Sequence, residues 1–87
     1  MEFSIEPSAA WEMAPEVVTA GLTAGYEFAQ CEYIVGGEAP EFSLDAIHIS
    51  VELAIRSGYR GYEFPIYCDS AKRGVLGFLH KVKATRR

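Results

Sequence analysis

The stretch AIHISVELAIR, residues 46–56, decides how the chain is read, because two periodicities compete in it. As a strand it places Ile47, Ile49, Val51, Leu53 and Ile55 on one face and polar residues at four of the five alternate positions, with Ala54 the lapse. The residues at its ends argue for a helix instead. Ser43 stands where an N-cap hydroxyl accepts from a free backbone amide, and Phe42 and Ile47 have the spacing of a hydrophobic staple. Asp45 in the first turn and Arg56 in the last both carry the sign that the helix dipole favours, and Gly58 suits a left-handed residue just past the end. Together these signals predict a helix from Leu44 to Arg56.

On that helix Leu44, Ile47, Val51, Ala54 and Ile55 form one apolar stripe, the expected core face. Ile49 and Leu53 then fall on the opposite side, beside Asp45, Glu52 and Arg56. Either another part of the chain covers them or they are offered to another molecule.

Outward from this segment the patterns read as β-structure. EFSIE alternates Phe3 and Ile5 with charged neighbours and suits a short first strand, after which Ser8 caps a turn running through Trp11 and Met13. Pro15 and Glu16 open a helix over 15–24, where Ala20 with Ala24 and Gly21 with Gly25 make a small-residue groove that lets another element approach closely. Residues 26–35, rich in aromatic and branched side chains and ended by GGEAP, predict a strand and a loop. YEFPIYC alternates Tyr62, Phe64, Ile66 and Cys68, with Pro65 fitting an edge strand or a bulge. After the turn residues DSAKRG, the segment VLGFLHKVKA alternates Leu76, Phe78, His80, Val82 and Ala84.

The assembled expectation is an α+β domain, an antiparallel sheet of about four strands with one main helix, about 44–56, on one face. The alternative is a mostly β sandwich or barrel with 46–56 as a central strand. A chain of 87 residues supports one small core, so residues 1–87 are read as a single domain with 84–87 a short basic tail.

The amino-terminal residues lack the basic and apolar regions of a secretory signal, and no uncharged run approaches the length of a membrane span. A soluble, cytoplasmic protein is expected. Cys31 and Cys68 lack a CxxC partner and read as ordinary buried thiols, with a single disulfide open to them in an oxidising compartment.

The formal charge of −4 is unevenly distributed. Residues 1–69 hold all twelve acids against Arg56 and Arg60, a formal −10, and residues 70–87 hold six cations and no acid. Such segregation bears on partner choice more than on fold. In the simplest arrangement the basic end lies against the acidic body.

Chemistry is sparse. His48 and Glu52 are four apart, but no third ligand is spaced to complete a metal site, and His80 stands alone. Cys68, Asp69 and Ser70 are consecutive, so as strand residues they would not converge on one reacting atom. GGE and RSGYRG lack the lysine of a phosphate loop and the spacing of a dinucleotide fingerprint. The reading is therefore non-enzymatic, with no catalytic residue, metal or cofactor.

The expected role is a protein-interaction module whose partner is another protein or a second copy of itself. The contact residues would be Ile49, Leu53 and Glu52 on the helix, with Glu27, Glu32 and Glu38 on an acidic surface that extends to Glu12, Glu16 and Glu41. Small acidic inhibitors of phages and mobile elements share this composition, a likeness of class only. The alternative is nucleic-acid binding through Arg60, Lys72, Arg73, Lys81 and Lys83, with Tyr59, Tyr62 and Tyr67 for stacking. In the plainer reading those tyrosines fill and rim a core.

Overall fold

In the computed structural model of the protein, which describes residues 9–36 and 43–85, every regular element is helical. A 3₁₀ turn, Ala9–Met13, leads into α1 (Pro15–Gly36), α2 (Ser43–Ser57) and α3 (Glu63–Thr85). There is no strand among the described residues, which overturns both the α+β expectation and its β-sandwich or barrel alternative. The strand expected at Phe3 and Ile5 lies outside the described residues, as does Phe42 of the expected staple.

Helix α1 starts where the prolyl residue indicated. The Ala14 carbonyl accepts from the Val17 and Val18 amides at 3.0 and 3.1 Å, and Pro15 occupies the first position, where its missing N–H is not needed. The helix does not stop at residue 24. Tyr26, Ala29 and Tyr33, spaced by three and four, all pack in one cluster with Phe78 of α3, so the segment read as a strand is the second half of α1. Tyr26 and Tyr33 meet the Phe78 ring edge-on, with centroids 5.3 and 5.7 Å away.

The expected carboxy-terminal hairpin is likewise one helix. Pro65 is the third residue of α3, within the first turn, where an amide has no intrahelical acceptor to lose. Beyond it Ile66, Tyr67, Ser70, Ala71, Gly74, Val75 and Phe78 are all buried, a row at helical spacing that runs straight through the supposed turn DSAKRG. Ala84 and Thr85, assigned to a tail, close this helix.

Helices α1 and α3 run parallel and very close. Gly21 lies against Tyr67 and Ser70, Gly25 against Ala71, and Gly74 against Leu22 and Tyr26. A methyl group on Gly25 would come within 2.0 Å of the Ala71 carbonyl oxygen, and one on Gly74 within 2.3 Å of the Leu22 carbonyl oxygen. Only glycine permits this backbone contact. The groove expected from the AG repeats is therefore filled, by α3.

Helix α2 returns antiparallel between these ends. Its Ala54 joins the cluster of Trp11, Ala14, Val17, Val18, Ile66, Tyr67 and Ala71, and its Ala46 joins Ala29, Val75 and Phe78. Gly58, at φ +80°, ends it, and the Gly58 amide donates to the Ala54 and Ile55 carbonyls at 3.2 Å. The two buried serines are satisfied within their own helices, Ser50 donating to the Ile47 carbonyl at 2.7 Å and Ser70 to the Tyr67 carbonyl at 3.0 Å.

Candidate interaction surface on the second helix

Small residues decide which way α2 faces. Ala46, Ser50 and Ala54, one turn apart, are buried, with Ile49 and Leu53 half-buried beside them and packed against the two clusters. The branched residues at the neighbouring row point outward: Ile47 is 48% exposed, Val51 37% and Ile55 64%. Of the expected core face Ala54 is buried, but Ile47, Val51 and Ile55 are exposed, and Ile49 and Leu53, expected to face out, pack inward. The reason lies in the helix spacing. With α1 and α3 in backbone contact, a third helix gains more by coming close on alanine and serine than by standing off on isoleucine.

The outward row forms a stripe two turns long, bordered on one side by His48, Glu52 and Arg56, all exposed. His48 Nε2 lies 3.8 Å from Glu52 Oε2, with both side chains mostly in solvent, so the pair is a weak surface contact. Met13 and Tyr62 are also exposed, at the end of the 3₁₀ turn and in the α2–α3 connection.

The acidic candidates are scattered. Glu16 and Glu27 lie exposed on one row of α1, three turns apart, and Glu32 is exposed on a different side of the same helix. Glu38 and Glu41 lie outside the described residues.

The cationic candidates do not converge either. Arg60 is exposed in the α2–α3 connection, while Lys72 and Arg73 are half-buried on α3. Arg73 holds its guanidinium 5.8 Å from the Trp11 ring centre and its Nε 3.5 Å from Asp69 Oδ1. Trp11 Nε1 donates to Asp69 Oδ2 at 2.7 Å. The trio fastens the 3₁₀ turn to α3. Lys81, two and a half turns from Lys72 and so on the other side of α3, donates to the Tyr26 hydroxyl at 3.1 Å. Lys83 lies farther along the helix. Because α3 runs parallel to α1, this basic end lies beside the half of α1 that carries Glu27 and Glu32.

Of the tyrosines proposed for stacking, Tyr67 is buried, accepts from the Ser57 hydroxyl at 3.1 Å and stacks on Tyr59 with ring centres 4.7 Å apart; Tyr62 is the exposed one.

Cys31 is exposed, against the expectation of burial, and Cys68 is half-buried, where loss of solvent pushes its thiol above the ordinary range; both are free thiols. Among the described residues no three His, Cys, Asp or Glu side chains come together as a metal site would require. None of the described helices is long and apolar enough to cross a membrane.

Comparison with known proteins adds no relative to this picture: no family model matches the chain, and neither a curated protein nor a solved structure matches it.

Proposed function

We propose that the protein is a non-enzymatic interaction module that engages another protein through the outer face of α2. The observation that carries this reading is the solvent-exposed row Ile47, Val51 and Ile55 on a helix whose opposite face is already packed. Single exposed apolar residues are ordinary, but three branched side chains in one row make a contiguous surface that a partner can dry. Covering what remains exposed contributes about 1 kcal/mol per residue. A cytoplasmic setting belongs to the same proposal, and an inhibitor acting through the acidic side chains of α1 is its competing version.

The test compares two surface variants for capture of a partner by the tagged protein. Ile47→Lys with Ile55→Lys is expected to weaken binding by about 2 kcal/mol, or roughly 30-fold. Glu27→Lys with Glu32→Lys is expected to leave it within a few-fold. The opposite ranking would move the interface to the acidic residues of α1, and equal binding by all variants would remove α2 from the account.

A further inference from the structure

We propose that the molecule seated on α2 is a second copy of this chain, its α2 running in the opposite direction. This rests on α2's outer face being the interface. The row Ile47, Val51, Ile55 is symmetric about its centre, with one isoleucine four residues to each side of Val51. Reversing a copy of the helix onto it sets Val51 against Val51 of the second copy and each Ile47 against an Ile55, a self-complementary two-fold contact. The ends of the helix are complementary in charge in that direction. The Arg56 end of one α2, followed by Arg60, falls beside the amino-terminal turn of the other, which carries Asp45, and the two helix dipoles oppose. A parallel pair would set Arg56 beside Arg56 and align the dipoles. Near the two-fold axis the two Glu52 carboxylates repel, so the contact is weak as built and Glu52→Gln tightens it.

Light scattering over a range of protein concentrations reads the association. The wild-type mass is expected to rise toward twice the monomer value, Glu52→Gln to reach it at lower concentration, and Ile47→Lys with Ile55→Lys to remain monomeric while keeping its helical circular dichroism. Direction is read by disulfide trapping in a Cys31→Ser, Cys68→Ser background. Val51→Cys is expected to cross-link to itself. Ile47→Cys and Ile55→Cys should each fail alone and cross-link when mixed, because like positions lie about 12 Å apart along an antiparallel pair and a disulfide spans less than about 7 Å between Cα atoms.

A monomer at every concentration overturns the inference; if the two-lysine variant then still loses a different protein partner, the interaction face stands and only its occupant is wrong. Self-cross-linking of Ile47→Cys and Ile55→Cys overturns the antiparallel arrangement. A two-lysine variant that dimerises as well as wild type overturns both the inference and the face it rests on.

Discussion

Gly25→Ala is expected to lower the free energy of unfolding by about 3 kcal/mol, at the upper end of what overpacking usually costs. Alanine is the better helix former by about 1 kcal/mol, so propensity alone predicts the opposite sign. The steric term prevails because of what the new methyl meets. At Gly25 it lies 2.0 Å from the Ala71 carbonyl oxygen and 2.9 Å from the Ala71 carbonyl carbon, and backbone atoms cannot rotate out of the way. Relief requires α1 and α3 to separate, which loosens every contact along the pair. Gly74→Ala should cost a similar amount, since its methyl meets the Leu22 carbonyl oxygen at 2.3 Å. The double variant should cost less than the sum, because one separation relieves both overlaps. Gly58→Ala is the control. Nothing lies within 4 Å of its new methyl, so it carries only the penalty for positive φ, about 1 kcal/mol. Urea unfolding followed by the fluorescence of the single tryptophan, Trp11, measures all four. A Gly25→Ala protein as stable as wild type would mean that the two helices are not in backbone contact.

Ile49→Asp with Leu53→Asp should unfold the protein or leave it barely stable. Both side chains are half-buried and pack against the two clusters, so the change removes apolar burial and places two carboxylates against a core. The combined cost is about 4 kcal/mol or more. A domain of this length has on the order of 4–13 kcal/mol in total. Ile47→Lys with Ile55→Lys, on the exposed side of the same helix, should change stability by less than about 1 kcal/mol, as exposed substitutions do. Thermal melts by circular dichroism at 222 nm separate the two outcomes. The reverse pattern would restore the orientation expected from side-chain size.

That reversal shows where the sequence was legible and where it was not. The ends of α2 were legible because capping is local: Gly58 takes positive φ in the structure as the residue pattern required, and Pro15 opens α1 for the same kind of reason. The close approach at Gly21 and Gly25 was legible as a groove, though not what fills it. The class of fold was not. Tyr26, Phe28, Tyr62, Phe64 and Ile66 favour strands in isolation, and two alternating runs around DSAKRG imitate a hairpin. The helical signal in α3 is carried instead by Ser70, Ala71 and Gly74, small residues that a search for large apolar side chains passes over. The same oversight inverted α2. Ala46, Ser50 and Ala54 mark its inner face, and their spacing of four was visible in the sequence. Their meaning depends on a neighbour close enough to need small residues, which is a tertiary fact. The row expected to face outward, Ile49 and Leu53, is thus packed, while Ile47, Val51 and Ile55, expected in the core, are exposed.

The most direct test of the account is the rate at which single cysteines along α2 react with a thiol reagent in the folded protein, with Cys31 and Cys68 replaced by serine. Reactivity follows access of the reagent to an ionised thiol. At protein concentrations too low for two copies to pair, cysteines at Ile47, Val51 and Ile55 are predicted to react fastest, those at Ile49 and Leu53 more slowly, and one at Ser50 about tenfold or more slower than the first group, gated by local opening. If the cysteines at positions 49 and 53 react fastest and those at 47 and 51 are protected, α2 faces the other way and the proposed interaction surface does not exist.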